Sequence, residues 1–217
     1  TTVVLSENVT SHKTLVDIFD DPAKADYLVT KDIVVTGRLT VQPGVVIEFN
    51  QDKSLQIFPE GALIAKGEGT NLIYFTGKVK QKGYWKGISF HSNNAFNELD
   101  RVYVGFAGGN PLPDMGNIRT SVAITGTSYS GSSVKIRNSS FNESAGYGIY
   151  VAGKSTLDLF HANYFNNNAL SALYVPADQL HKLDFFTHYT GNNGFDGIET
   201  GGSVNAVNEV TWSYFSD

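Results

Sequence analysis

The chain has 217 residues, of which 41% are hydrophobic and 17% are charged, and its formal net charge is -5. This hydrophobic content suffices for a buried core, while the lack of a concentrated basic segment argues against a nucleic-acid partner. Cysteine is absent, which excludes disulfides and thiolate metal sites. No apolar run approaches the roughly 20 residues needed to cross a bilayer, so no membrane span is predicted. The many glycines, tyrosines and phenylalanines favour a turn-rich all-β protein.

The first predicted element is an N-terminal cap over residues 1–26. The segment SHKTLVDIFDDP, which begins at Ser11, places Leu15, Ile18 and Phe19 at helical spacing. An extra edge strand is the alternative interpretation. The chain begins without Met, so we expect a mature product from which an export signal has been removed.

Short apolar runs separated by polar turns follow the cap. The stretch GALIAKGEGTNLIYFTG, residues 61–77, holds LIA and LIYF on either side of a glycine-rich bend. Glycine tolerates the backbone geometry of a sharp corner, so the two runs are predicted to be two walls of one coil. Phe49 and Phe75, 26 residues apart, indicate that the same unit recurs upstream.

Three later segments repeat without gaps at offsets of 24 and 25 residues. They are NSSFNESAGYGIYV from Asn138, ANYFNNNALSALYV from Ala162 and THYTGNNGFDGIET from Thr187. A period of this size, built from short strands and polar turns, predicts a solenoid of about six to eight stacked coils. At its far end, Trp212 and Phe215 are predicted to close the core, unless the native chain continues.

Within each repeat the side chains alternate with period two, as in a strand with one buried face. The residues predicted to point inward are Ile149, Leu173, Ile198, Val151, Val175 and Thr200. The residues predicted to form an outward column between them are Tyr150, Tyr174 and Glu199. The asparagine runs 166–168 and 192–193 recur at a corner, where we expect an internal ladder of amide hydrogen bonds.

These motifs, together with GVVIEF, YWKGISF and LDRVYVGFAGG, resemble the right-handed parallel β-helix repeat proteins of bacterial surfaces and secretions. The resemblance covers about residues 27–215. It implies a single-stranded right-handed parallel β-helix over 27–217 behind a short N-terminal cap, and a secreted or cell-surface location. This pectate-lyase-like superfamily includes lyases, hydrolases, phage tailspikes and adhesins, so the fold alone does not choose a function.

Three longer loops interrupt the period in the middle coils. They are KVKQKGY, HSNNAFNE and GGNPLPDMGNIRTS, and they lengthen the spacings from Phe75 to Phe106 and from Phe106 to Phe141. Functional groups of solenoids concentrate in such insertions, so the loops with Tyr84 and Trp85 are predicted to wall a groove. The alternative is that Trp85 packs in the core beside Ile88.

An enzyme with this fold would resemble polysaccharide lyases, which pair a basic residue with acidic Ca²⁺ ligands, or glycoside hydrolases, which use paired carboxylates. Lys135, Arg137 and His161 are the basic residues that the repeat places together. No predicted column carries three acids, so a solvated polar wall is favoured over a catalytic site. The remaining histidines lack the spacing of metal ligands, and no metal site is predicted.

The leading functional prediction is a non-catalytic extracellular module for adhesion or glycan binding. Its binding residues would be Tyr150, Tyr174 and Glu199, or the middle loops with Tyr84 and Trp85. The first alternative is a polysaccharide lyase or glycoside hydrolase, with Ca²⁺ as a cofactor if it is a lyase. The second is a structural stalk or protein-contact module. The expected partner is accordingly a polysaccharide, a surface glycan or another surface protein.

Overall fold

A computed structural model describes residues 1–126, 130–204 and 211. This part of the chain contains 20 β-strands in three sheets, and the strands in each sheet pair in parallel. One 3-10 helix, Ala177–Lys182, accompanies them. No helix among these residues has the length and apolar character needed to cross a membrane. The prediction of an all-β protein with parallel strands is confirmed.

Sheet A contains seven strands, which lie in the order β1 (Val3–Leu5), β3 (Tyr27–Val29), β6 (Val46–Phe49), β9 (Ile73–Gly77), β12 (Val102–Gly105), β15 (Ser140–Asn142) and β18 (Tyr164–Asn166). Sheet B contains seven strands, which lie in the order β4 (Ile33–Val35), β7 (Ser54–Ile57), β10 (Gly87–Phe90), β13 (Thr120–Ile124), β16 (Tyr147–Val151), β19 (Ser171–Pro176) and β20 (Phe195–Gly201). Sheet C contains six strands, which lie in the order β2 (Lys13–Leu15), β5 (Arg38–Val41), β8 (Ala62–Lys66), β11 (Glu98–Asp100), β14 (Ser133–Arg137) and β17 (Thr156–His161).

The chain visits the three sheets in turn, and most strands pair with the strand three elements later. In sheet A, for example, β3 pairs with β6 and β6 pairs with β9. The runs LIA and LIYF lie in different sheets, β8 in sheet C and β9 in sheet A, as expected for two walls around one bend. This topology is compatible with a parallel β-helix.

The core is formed by the inward side chains of all three sheets. Its largest fully buried members are Trp85, Phe49, Phe75, Phe90, Phe141 and Phe165. Of the residues predicted to point inward, Ile149, Leu173, Val151 and Val175 are fully buried, and Ile198 packs partly buried against them. Thr200 is exposed, since β20 is the edge strand of sheet B.

The register corrects two details of the predicted period. Phe75 pairs with Ile47 rather than Phe49, and its other neighbour is Val104 rather than Phe106. Phe106 instead occupies a corner with a φ of 64°. In the last repeat, Tyr164 bridges to His188 and Ser171 pairs with Phe195, an offset of 24, whereas Leu173 pairs with Ile198, an offset of 25. The pairing of the second segment with the third is therefore irregular between Ser171 and Leu173, which the ungapped alignment missed.

The predicted N-terminal helix is wrong, and the edge-strand alternative is correct. Leu15 belongs to β2, which pairs with β5 of sheet C. Beyond β2, the backbone N–H groups of Ile18 and Phe19 donate to Oδ1 of Asp26, which is almost fully buried. These bonds replace the local bonds that a helix would have made. Trp212 and Phe215 lie outside the described residues.

The predicted asparagine ladder is present at the corner between sheets A and B. Nδ2 of Asn168 donates to the Phe141 carbonyl at 3.0 Å and to Oδ1 of Asn193 at 2.8 Å, while its Oδ1 accepts the Ser144 N–H at 3.0 Å. Nδ2 of Asn193 in turn donates to the Phe165 carbonyl at 3.3 Å. The amides therefore satisfy backbone groups that a sharp corner leaves unpaired.

Candidate functional site

Tyr150 and Tyr174 lie side by side on the outer face of sheet B, as the repeat predicts. Tyr150 pairs in register with Tyr174, and Tyr174 with Glu199. The two rings are stacked with 4.2 Å between their centroids and 6° between their planes. The Tyr147 ring meets that of Tyr150 edge-on at 5.3 Å, which completes a three-tyrosine cluster.

Glu199 is held at the end of this cluster by two hydroxyl groups. The Tyr147 hydroxyl donates to its Oε2 at 3.0 Å, and Oγ of Ser171 donates to the same oxygen at 2.9 Å. Neither bond uses Oε1, which faces no donor from these two residues. The carboxylate is therefore positioned by the protein but keeps an acceptor for a further partner.

The stacking changes what the tyrosines offer to a ligand. Each ring covers one face of the other, and Tyr150 also packs against the small apolar cluster around Met115. The stack therefore removes one face of each ring from contact with a ligand. Burial is the main cause that raises the pKa of Tyr150 to about 12, and it also raises the pKa of Tyr147 to about 12 together with the bond to Glu199. Both hydroxyls therefore keep their protons, and can donate, at neutral pH.

The longest of the three inserted loops folds over sheet B next to these tyrosines. Leu112 and Met115 are buried against Ala123, which is the register neighbour of Tyr150, and Ile118 packs at the margin. A small residue at position 123 leaves room for this loop. The insertion thus forms one wall of a groove, but Tyr84 and Trp85, which were expected to share that wall, do not line it.

The groove between this loop and the tyrosine pair has a volume of about 330 Å³. Asp114, Met115 and Ile118 line one side, and Tyr150 and Tyr174 line the other. Glycines and other small residues, namely Ala152, Gly153, Pro176, Gly201 and Gly202, complete the lining. An exposed carboxylate, two phenolic hydroxyls and apolar side chains therefore meet in one shallow depression.

Beneath the same loop lies a polar chain that the sequence did not reveal. Nε2 of His91 is 3.2 Å from Oγ of Ser89, and its Nδ1 is 3.7 Å from Oδ2 of Asp114. The order serine, histidine, aspartate is that of a catalytic triad. Ser89 is fully buried, however, so no substrate reaches its hydroxyl. Burial also lowers the pKa of His91, although Asp114 opposes the shift, and the chain is best understood as support for the loop.

Tyr84 and Trp85 lie away from this groove. Trp85 is fully buried, stacks on Phe49 at 4.0 Å and donates from Nε1 to the Gly105 carbonyl at 2.8 Å. Its side chain has no surface with which to contact a ligand, because it belongs to the core, as the alternative interpretation held. Trp85 and Ile88 are fully buried members of the same core cluster. Tyr84 is half-buried, and its ring packs against Gly77.

The basic residues considered for catalysis lie on the outer face of sheet C. Arg137 pairs in register with His161, so the repeat correctly placed them together. Arg137 forms ion pairs with Glu98 at 3.0 Å and Asp100 at 3.1 Å. Nδ1 of His161 lies 2.7 Å from Asp184, and Nζ of Lys135 donates to the Ala95 carbonyl at 2.9 Å. The acids that a lyase would need for Ca²⁺ are therefore engaged with cations.

Within residues 1–126, 130–204 and 211, no group of three or more histidine, aspartate or glutamate side chains is arranged to hold a metal ion. Comparison of the chain with protein-family models, with curated proteins and with solved structures found no match.

Proposed function

We propose that this chain is a right-handed parallel β-helix module of a secreted or cell-surface protein, and that it binds glycan without altering it chemically. The observation that carries the proposal is the groove of about 330 Å³ beside Tyr150 and Tyr174. A sugar chain presents hydroxyls around its rim and C–H groups on its faces. The tyrosine hydroxyls and the Asp114 carboxylate of the groove can bond to the sugar hydroxyls, and Met115 and Ile118 can pack against the C–H groups.

The mode of contact follows from the ring geometry. Tyr150 and Tyr174 each cover one face of the other, so their hydroxyls make the main contacts, and the stack serves to hold them rigid. The protein loses little conformational entropy when a sugar chain binds along side chains that rigid strands already hold in place. The groove is shallow and buries little area, so we expect an affinity between millimolar and micromolar per site. Repetition of the module in a longer protein would raise this by avidity.

The test is titration of the purified chain with a panel of oligosaccharides, followed by calorimetry and by amide chemical shifts. The double variant Tyr150→Phe/Tyr174→Phe removes two hydroxyls but keeps the stack. We expect it to weaken binding about tenfold, because a hydrogen bond contributes roughly 0.5–1.5 kcal/mol. Asp114→Asn should weaken it as well. The matched control is Tyr164→Phe, since Tyr164 is an exposed tyrosine of sheet A.

Each outcome has a definite meaning. Unchanged affinity in the double variant would show that the ligand lies elsewhere. A panel in which no oligosaccharide binds would instead favour the structural stalk or protein-contact module. Turnover of a polysaccharide would favour the lyase or hydrolase alternative, and Lys135, Arg137 and His161 would then be replaced first.

A further inference from the structure

The one Asn-Gly pair of the sequence, Asn193–Gly194, lies at the corner just before β20. Asparagine followed by glycine is prone to deamidation, because glycine has no side chain to hinder its own backbone nitrogen. That nitrogen attacks Cγ of the asparagine, and its proton leaves with the side-chain NH₂ as ammonia, which forms a cyclic succinimide. Water then opens the ring to aspartate or isoaspartate, so that NH₂ is exchanged for OH.

The folded corner holds both reacting groups in other bonds. The Gly194 N–H donates to the Asn168 carbonyl at 2.8 Å, so the nitrogen that would attack is committed to the neighbouring coil. Nδ2 of Asn193 donates to the Tyr189 carbonyl at 2.9 Å and to Oδ1 of Asp196 at 3.0 Å. Ring closure therefore requires the backbone nitrogen and the side-chain amide to leave their partners together.

Asp196 organises this corner and makes its amide difficult to replace. Oδ1 of Asp196 also accepts the backbone N–H groups of Asn193 at 2.7 Å and Gly191 at 3.2 Å. The first of these bonds is the main cause that lowers the pKa of Asp196, which is therefore ionised at neutral pH. A carboxylate at position 193 would face this charge and the carbonyls of Tyr189 and Phe165 without a proton to donate.

From these contacts we propose that Asn193–Gly194 is a latent deamidation site, which makes opening of the last described coil, residues 187–202, irreversible. Among the described residues β20 pairs with β19 alone, and such edges open locally before interior strands do. Opening frees the Gly194 nitrogen, and the product then cannot rebuild the corner. Gly201 and Gly202 line the sheet B groove, so its wall would be lost as well. This last consequence alone rests on the proposed function.

The test compares conversion of Asn193 in the folded 217-residue chain with conversion in the same chain unfolded by guanidinium chloride. Both samples are kept without ligand in one mildly alkaline buffer. Proteolytic digestion and mass spectrometry give the converted fraction, and enzymatic methylation detects isoaspartate. We expect the folded chain to react at least about 100-fold more slowly, because the corner must open first. Equal rates would overturn the proposal, whatever the chain binds.

Three variants distinguish local opening from global unfolding. Asp196→Ala removes the acceptor of three bonds from an exposed position and should accelerate conversion in the folded chain about tenfold or more. Asp158→Ala, the matched control, replaces an exposed aspartate of β17 and should leave the rate unchanged. Ile57→Ala weakens the core several strands away and should also leave it unchanged. Equal acceleration in Asp196→Ala and Ile57→Ala, or none in Asp196→Ala, would overturn the proposal.

Asn193→Asp reproduces the aspartate product and tests irreversibility directly. Amide hydrogen exchange at residues 189–201 should be about tenfold faster than in the wild type at neutral pH. The ratio of the two rates should shrink as pH falls through about 4, where the new carboxyl group gains a proton that it can donate. Exchange equal to that of the wild type at neutral pH would show that the corner accepts the product, and the proposal would fail.

Discussion

Removal of the Asn168 side chain tests how the corner between sheets A and B is held together. Asn168 is 1% exposed, and its amide bonds to the Ser144 N–H, the Phe141 carbonyl and the Asn193 side chain. In Asn168→Ala, the groups from Ser144 and Phe141 lose this partner inside the protein. Oδ1 of Asn193 keeps a bond, because it also accepts the backbone N–H of Asn168 at 3.0 Å.

The magnitude follows from the buried Ser144 N–H, which loses its acceptor. A buried donor left without a partner costs roughly 1–3 kcal/mol. Asn168→Ala should therefore lower the free energy of unfolding by about 1–3 kcal/mol, measured by urea denaturation followed by circular dichroism. Asn168→Asp should not rescue stability, since it restores the acceptor but replaces the donor to Phe141 with a buried charge.

The control is Asn166→Ala, at the end of β18 and two residues before Asn168. Asn166 is exposed, so its replacement should change the free energy of unfolding by no more than about 0.5 kcal/mol. A loss below about 1 kcal/mol for Asn168→Ala, or full stability in Asn168→Asp, would show that the amide hydrogen bonds do not hold the corner.

Three further predictions address the core, the tyrosine cluster and the chemistry. Leu173→Ala should lower the free energy of unfolding by about 2–5 kcal/mol, because Leu173 is fully buried. Leu170 is 44% exposed, so Leu170→Ala should lower it by less than about 1 kcal/mol in the same denaturation assay. Equal losses would refute the inward assignment of Leu173. The pKa of Tyr147 is about 12 in the folded chain and 10.0 when unperturbed, so the unfolded chain ionises first and stability should fall as pH rises from about 10 to 12. Melting curves of Tyr147→Phe should show a smaller fall over that window, and an identical profile would contradict the pKa. With pectate or alginate, with or without Ca²⁺, we expect no unsaturated uronate absorbance above buffer, since Arg137 is paired with the acids nearest to it; a measurable rate would restore the lyase alternative.

The sequence by itself determined the alternation, the corners and much of the register. A strand directs successive side chains to opposite faces, so GIYV and ALYV placed Ile149 and Leu173 inside and Tyr150 and Tyr174 outside. Repeats of equal length stack residue on residue, which is why the tyrosine column and the Asn168 ladder were both predictable. The prediction of a helix in the N-terminal segment failed because it relied on a local signal. The helical spacing of that segment was outweighed by the pairing of β2 with β5.

Only the tertiary structure decided which surfaces are open to a ligand. No local pattern shows that the Tyr150 and Tyr174 rings stack on each other, or that Trp85 turns inward to stack on Phe49, a residue of β6. Strand pairing in sheet A likewise brings Tyr74 beside Tyr103, which are 29 positions apart in the chain. Strand pairing and burial fix which face a residue occupies, whereas the direction of a ring and the space around it depend on side chains that are distant in the chain.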